Sequence, residues 1–228
     1  MAAGLDIVFP LFPRVTQLDF TGPHQFLSAL PGARVIAASM GGAPITAHDG
    51  LVFCQLTDIE TIARCDVLCV PGGGGCTDAM QDPAYMAEIK RLAGTARYIT
   101  SVCTGSLILA AAGLLRGKRA TSHWAWCEML PLFGAIPAAG RVVRDGNVFT
   151  GGGVTAGIDF ALTLATELVG AEVAQAIQLG LEYAPAPPFN SGSPETAPAE
   201  IMALARARMA GTMPARRAAV EKVAAAAG

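Results

Sequence analysis

Cys103 is the residue of this chain with the strongest case for chemistry, because it lies in the segment Ser101-Val102-Cys103-Thr104-Gly105-Ser106. Residues 97–102 read as a short β-rich run, and the apolar residues 107–112 read as a buried helix. A thiol at the start of a helix faces unpaired N–H groups and the positive end of the helix dipole, which both favour the thiolate. The dipole supplies only about 0.3–2 kcal/mol, so direct hydrogen bonds must complete the activation. The segment predicts a nucleophile, with a small buried core cysteine as the alternative.

A nucleophilic thiol needs a group that moves protons, and Asp19 is the best candidate in the sequence. It follows the first predicted strand and lies between two apolar residues in Leu18-Asp19-Phe20-Thr21-Gly22-Pro23. Asp19 is either an ordinary acidic residue at a helix start or a partly buried acid, whose pKa burial raises. Thr104 directly follows the cysteine, and its hydroxyl either binds the acid or a water molecule or caps the helix backbone. The histidines, which can serve in packing or in turns, are weaker candidates: His24, His48 and His123.

Two glycine-rich segments offer backbone N–H groups near these residues. The apolar run 67–70 continues into Pro71-Gly72-Gly73-Gly74-Gly75, and a later run is followed by Gly151-Gly152-Gly153. Neither segment has a following Gly-Lys-Ser/Thr or a GxGxxG spacing, which argues against a nucleotide-binding loop. Amides that stabilise a developing anion are the better interpretation. The candidate donors are Gly73, Gly74, Gly152, Gly153 and Val154.

The elements that must position these groups alternate between strand-length apolar runs and helical patterns. This alternation predicts an α/β fold with a mainly parallel central sheet and helices on both faces. The predicted strands are 5–11, 33–39, 67–70 and 97–102, and the predicted helices are 16–29, 83–93, 107–112, 154–169 and 171–180. The pairs Asp49-Gly50 and Asp145-Gly146 predict two hairpins. Because sites in such sheets collect beyond the carboxyl ends of strands, we expect the glycine loop and Cys103 to share one crevice.

Composition excludes several classes of function. The chain has 228 residues, of which 52% are hydrophobic and 15% are charged, so it can bury one large core. A net charge of -2 offers no electrostatic footprint for nucleic acid, and no apolar run approaches the length of a membrane span. The start of the chain, residues 1–6, lacks the pattern of a secretory signal, so we expect a cytoplasmic protein whose six cysteines are thiols. His123 and Cys127 have no third ligand, so we expect no metal.

The segment from Pro198 onward is alanine-rich and carries basic residues at helical spacing: Arg206, Arg208, Arg216, Arg217 and Lys222. We interpret it as a solvated or subunit-packing helix rather than a basic docking site. The predicted organisation is a catalytic domain over residues 1–190 and a helical extension over residues 191–228. We expect the extension to pack on the domain or on a dimer partner.

Taken together, residues 18–23, 70–74 and 101–105 resemble the motifs of the DJ-1/PfpI superfamily, and the resemblance runs from the first strand to about Tyr183. It implies a flavodoxin-like α/β sandwich, a homodimer and a nucleophilic cysteine in a strained elbow. Protease-like members carry His directly after the cysteine, where this chain has Thr104. DJ-1 itself has a glutamate near the cysteine, where this chain has the shorter Asp19. Both departures favour the branch of the family that hydrates isocyanides.

The resemblance implies that an isocyanide is converted to an N-substituted formamide without an organic cofactor. Cys103 would be the nucleophile and Asp19 the acid and base, with one proton shared between them as thiolate and neutral carboxylic acid. Tyr183 would line the pocket, or would simply be a half-buried aromatic residue. A sensor of small molecules or of oxidation, without catalysis, is the alternative function. The short segment after Tyr183 argues against a fused helix-turn-helix regulator.

Overall fold

The computed structural model describes residues 4–227. Residues 1–3, on which part of the expected cytoplasmic location rests, and residue 228 of the predicted extension lie outside them. The strands are β1 (Leu5–Pro10), β2 (Ala33–Ser39), β3 (Ile45–Thr46), β4 (Val52–Phe53), β5 (Thr57–Asp58), β6 (Val67–Val70), β7 (Tyr98–Val102), β8 (Arg119–Ala120), β9 (Ile136–Pro137), β10 (Val142–Asp145) and β11 (Val148–Gly151). The helices are α1 (Gln17–Leu27), α2 (Cys76–Ala79), α3 (Pro83–Ala93), α4 (Gly105–Ala111), α5 (Ala156–Val169), α6 (Ala171–Gly180), α7 (Ala199–Ala210) and α8 (Met213–Ala227). Short 3-10 helices cover Met40–Gly42, Ile59–Thr61 and Cys127–Phe133.

The central sheet has, within the described residues, seven strands in the order β10-β11-β7-β6-β1-β2-β5. Its neighbouring strands are parallel except for the antiparallel pair β10 and β11. Strands β6 and β7 are buried along their whole length, as expected for parallel strands that are covered on both faces. The predicted mainly parallel, flavodoxin-like α/β fold is confirmed.

This strand order brings the predicted site together. The carboxyl ends of β1, β6, β7 and β11, which are consecutive neighbours in the sheet, open at the same edge. The chain leaves β1 toward β2 on one side, and β6 lies on the other side, so a crevice forms between the ends of β1 and β6. Asp19 follows β1, the glycine loop follows β6 and Cys103 follows β7.

Most predicted elements are present with small shifts of their ends. Both Asp-Gly hairpins are confirmed by the antiparallel pairs β3 with β4 and β10 with β11. The sequence reading missed α2, the 3-10 helix Cys127–Phe133 and the two-residue strands β5, β8 and β9. These elements are too short to show a helical or strand period, and tertiary contacts define them.

The C-terminal extension divides into two helices with different environments. Helix α7 has no buried residue, as expected for a solvated helix. Helix α8 packs on α2, α4 and the 3-10 helix Cys127–Phe133, with Val220 fully buried and Arg217 paired with Glu128. Over the described residues, no helix is both long and apolar enough to cross a membrane.

Candidate active site

Cys103 occupies a sharp corner between β7 and α4. Its φ is 56°, a left-handed conformation that residues with a side chain rarely adopt. The corner is held by its backbone: the N–H donates to the carbonyl oxygens of Gly151 at 3.0 Å and Gly152 at 2.8 Å. The carbonyl oxygen of Cys103 accepts the hydroxyls of Ser106 at 3.0 Å and Ser122 at 3.1 Å. This network fixes the position of Cys103 at the end of β7.

Asp19 lies in the first turn of α1 and is fully buried. Its Oδ2 accepts the N–H of Gly72 at 3.0 Å, whereas its Oδ1 has no hydrogen-bond partner among the described residues. Burial raises the pKa of Asp19 to about 7, and the Cys103 side chain and the Gly72 N–H partly offset that rise. Asp19 is therefore a buried acid rather than an ordinary helix-start residue.

The Cys103 thiol and the Asp19 carboxyl influence each other. The pKa of Cys103 is raised well above its ordinary value, first by burial and next by the charge of Asp19. The N–H groups of Val154 and Thr104 act in the opposite direction, which is the help expected at a helix start. Burial outweighs them, so the resting thiol is not the low-pKa group that its helix position alone predicts. Because each ionised group disfavours the other, the two titrate as one pair, which holds at least one proton at neutral pH.

Thr104 connects the corner to the glycine loop. Its Oγ1 accepts the N–H of Gly73 at 2.9 Å and donates to the carbonyl oxygen of Gly73 at 3.4 Å. The hydroxyl thus satisfies loop backbone, and a direct role toward the acid or a water molecule stays a prediction. Gly72 leaves no room for a side chain, because a Cβ at this position would lie 2.5 Å from the Thr104 nitrogen and 2.8 Å from Asp19 Oδ2.

The predicted amide donors divide into two groups. The N–H of Gly73 is bound by Thr104, and the N–H of Gly152 donates to the carbonyl oxygen of Arg141 at 2.9 Å. These two amides already have acceptors in this conformation, and their role toward an intermediate stays a prediction. Val154, with a φ of 32°, directs its N–H to the Cys103 thiol. Gly153 packs against His123, and Gly74 lies beside His48.

Other predicted candidates lie in packing environments. His24 packs edge-on against Phe20, and burial lowers its pKa. The Tyr183 hydroxyl donates to Asp159 Oδ1 at 3.0 Å, and its ring packs edge-on against Phe26. These contacts hold Tyr183 to α5 and α1, so its role in lining a pocket stays a prediction.

The remaining cysteines are not equivalent to Cys103. Cys65 and Cys69 are fully buried in the core. Cys76 begins α2 and is fully buried, and burial raises its pKa to about 11. Cys54 is exposed. The described part of the chain contains no group of three or more His, Cys, Asp or Glu side chains that could hold a metal.

Sequence reasoning did not single out Gly72, Trp126 or the placement of Arg216. The signal for Gly72 was the run of four glycines directly after a buried strand, which a close backbone approach requires. No local signal could place Arg216 or Trp126, because the two meet only when α8 folds back on the domain.

The fold and the site define an α/β protein with a strained cysteine elbow and a buried carboxyl group beside it. The chain belongs to the DJ-1/PfpI family, whose sequence model matches residues 6–167. It is 55% identical to the isonitrile hydratase of Pseudomonas putida over 221 residues, which cover 97% of each chain. A solved ThiJ/PfpI family protein from Pseudomonas syringae superposes with a TM-score of 0.92 at 40% identity, covering 97% of this chain and 91% of that one. Drosophila melanogaster DJ-1beta superposes with a TM-score of 0.72 at 25% identity, covering 80% of this chain and all of that one.

Proposed function

We propose that this protein is an isocyanide hydratase, a hydro-lyase that converts R–NC and water into an N-substituted formamide. The observation that carries the proposal is the pairing of Cys103 with a fully buried Asp19 instead of a histidine. A relative that covers nearly the whole chain bears the name isonitrile hydratase, which supports the same assignment. The reaction needs one nucleophile and one group that first gives and then takes a proton.

In the first step, the Cys103 thiol passes its proton to the Asp19 carboxylate, and the resulting thiolate attacks the terminal carbon of the isocyanide while neutral Asp19 protonates that carbon. A C–S bond and a C–H bond form, giving the thioimidate R–N=CH–S–Cys103, and Asp19 becomes a carboxylate. The unpartnered Oδ1 of Asp19 supports its assignment as the proton donor, because Oδ2 is already held by Gly72.

In the second step, the Asp19 carboxylate removes a proton from water as the water oxygen attacks the thioimidate carbon. The adduct then expels the Cys103 thiolate, and the resulting R–N=CH–OH tautomerises to the formamide R–NH–CHO. Cys103 ends as thiolate and Asp19 as neutral acid, so the pair returns to its reactive form with the same proton count. The sum of the steps is one isocyanide plus one water.

The backbone around Cys103 supports this cycle. The N–H groups of Val154 and Thr104 stabilise negative charge on sulfur, both in the reactive pair and when the thiolate leaves. Burial of the pair keeps the shared proton between the two groups, because neither charge is well solvated.

The alternative of a cysteine redox sensor receives less support from the same site. Oxidation to sulfenic and sulfinic acid follows thiolate character and exposure. Cys103 is only 5% exposed and its pKa is raised by burial, and both properties slow uncatalysed oxidation.

The location, oligomeric state and partners of the enzyme also belong to the proposed function. We propose a cytoplasmic homodimer that acts on a small isocyanide, with no organic cofactor, nucleic acid or membrane partner. Leu179 and Phe189 are large apolar side chains that stay exposed, and their burial between two subunits would be favourable.

The test is formamide production from a simple aryl or alkyl isocyanide. We expect turnover by the wild-type protein, no turnover by Cys103→Ala, and wild-type turnover by Cys54→Ser, in which an exposed thiol is changed. Mass spectrometry of quenched reactions should find the adduct on Cys103 and not on buried Cys76. No formamide from the wild-type protein, or unchanged turnover by Cys103→Ala, would overturn the proposal.

A further inference from the structure

The side chain of Arg216, in α8, lies beside Gly74 of the glycine loop. Its Nη2 lies 3.5 Å from the position that a Cβ on Gly74 would occupy. Its guanidinium carbon lies 5.7 Å from the centre of the Trp126 ring, within the range of a cation–π contact. The guanidinium therefore lies between the loop and an almost fully buried indole.

The helix that carries Arg216 is anchored independently of this contact. Val220 of the same helix is fully buried and anchors it, whereas the exposed ion pair of the neighbouring Arg217 with Glu128 adds little. By contrast, no carboxylate in the part of the chain that the structure describes forms an ion pair with Arg216. The groups beside its charged end are thus the glycine loop at Gly74 and the Trp126 ring.

The loop beside Arg216 is the segment that holds the acid and Thr104. Two residues before Gly74, the N–H of Gly72 binds Asp19 Oδ2, and the intervening Gly73 binds Thr104 Oγ1. Two residues after Gly74, the Cys76 thiol is influenced both by the Thr104 side chain and by the charge of Arg216. A displacement of Gly74 is therefore transmitted to both ends of the site.

We propose that Arg216 is a positioning residue, which clamps the glycine loop against Trp126 and so keeps the Gly72 N–H on Asp19. The effect on turnover rests on the proposed isocyanide hydration, whereas the effect on Asp19 does not. This role assigns part of the C-terminal extension to the active site, although its sequence reads as a solvated or subunit-packing helix.

Arg216 affects the pKa of Asp19 through the position of the glycine loop and not directly through its charge. The titratable groups that face Asp19 are Cys103 and Cys69, whereas those near Arg216 are His48 and Cys76. When the loop loosens, Asp19 loses the donor that stabilises its carboxylate, so its pKa rises further. The acid also moves out of line with the substrate carbon.

The test compares Arg216→Ala and Arg216→Lys with Arg217→Ala, a neighbouring arginine on the same helix whose exposed ion pair contributes little. For Arg216→Ala we expect kcat to fall by about tenfold or more with KM within about threefold, because a small misplacement of catalytic groups is costly. Lysine keeps the charge but lacks the planar group that stacks on Trp126, so Arg216→Lys should recover only part of the loss. Arg217→Ala should keep wild-type kcat.

A second readout does not depend on hydration. The infrared band of a protonated carboxyl, assigned to Asp19 by its absence in Asp19→Asn, should persist to higher pH in Arg216→Ala by about one pH unit, as expected for one hydrogen bond to a charged group. An unchanged infrared titration together with unchanged kcat would overturn the clamp. An increase of KM alone would overturn it in favour of direct substrate binding. If the wild-type protein makes no formamide, the proposed function fails while the infrared titration still decides the role of Arg216.

Discussion

The backbone N–H of Gly72 donates to Oδ2 of Asp19 at 3.0 Å, and this hydrogen bond joins the segments that follow two neighbouring strands, β6 and β1. It occupies one oxygen of the carboxyl and leaves Oδ1 without a partner in the described residues. The single bond therefore decides which oxygen is available for proton transfer, and it also lowers a pKa that burial has raised.

Gly72→Ala should disrupt the site with little change elsewhere. The new Cβ would lie 2.5 Å from the Thr104 nitrogen, 2.7 Å from its Oγ1 and 2.8 Å from Asp19 Oδ2, and the nearest of these atoms belongs to the backbone, which cannot rotate away. We expect turnover to fall by about 100-fold or more, because a shift of about 1 Å has that effect, and unfolding free energy to fall by about 1–3 kcal/mol. Steady-state kinetics and urea unfolding measure both changes. Gly180→Ala, where the new methyl meets open space, is the matched control and should behave as the wild type; similar losses in both variants would contradict the steric explanation.

Asp19→Asn should change how stability depends on pH. The folded protein holds the pKa of Asp19 at about 7, above its ordinary value of 3.8, so the folded state keeps a proton that the unfolded state has lost. Stability from this group is therefore greatest at low pH and declines as pH rises from about 4 to about 7, by up to about 4 kcal/mol. The asparagine variant lacks this decline. Urea unfolding at a series of pH values should show that wild-type stability falls relative to Asp19→Asn across this window, and parallel curves for the two proteins would show that Asp19 titrates normally.

The sequence was sufficient to predict the sheet and the meeting of the site segments, because both follow from local patterns. Alternating apolar runs identify the parallel strands, and the rule about carboxyl ends places Asp19, the glycine loop and Cys103 at one edge. The position of a residue in the sequence does not show, however, how deeply the fold will bury it. The helix start at Cys103 predicts a lowered pKa, whereas the surrounding packing raises it.

The sequence also could not predict which acceptor each backbone N–H group would bind. Gly73 and Gly152 look like equivalent donors in the sequence, yet their N–H groups are bound by Thr104 and by the carbonyl oxygen of Arg141. Both partners are more than ten residues distant along the chain, so their positions depend on the assembled fold. The same holds for Arg216, which reaches Gly74 only through the docking of α8.

Thr104→Val removes the hydroxyl of Thr104 but keeps the shape of the side chain, so it tests the contribution of the hydroxyl alone. Valine leaves the buried N–H of Gly73 without its acceptor at 2.9 Å, which should reduce unfolding free energy by about 1–3 kcal/mol. Thr104→Ser keeps the acceptor and should stay within about 1 kcal/mol of the wild type. Thermal or urea unfolding of the three proteins, with turnover measured alongside, checks this order. Equal stability of the valine and serine variants would show that the bond to Gly73 is not important.

At position 103, glycine should give a more stable protein than alanine, which is the reverse of their usual order inside a helix. With a φ of 56°, position 103 lies in the left-handed region, where a Cβ costs about 1–2 kcal/mol and glycine does not. We therefore expect Cys103→Gly to be more stable than Cys103→Ala by about 1 kcal/mol, although both lack the thiol and neither should turn over substrate. The matched pair Arg206→Gly and Arg206→Ala, at an exposed position inside α7, should show the opposite order by about 0.5–1 kcal/mol, because glycine weakens an ordinary helix. Urea unfolding of the four variants measures both differences, and an alanine variant that is the more stable at both positions would mean that the elbow at Cys103 stores no backbone strain.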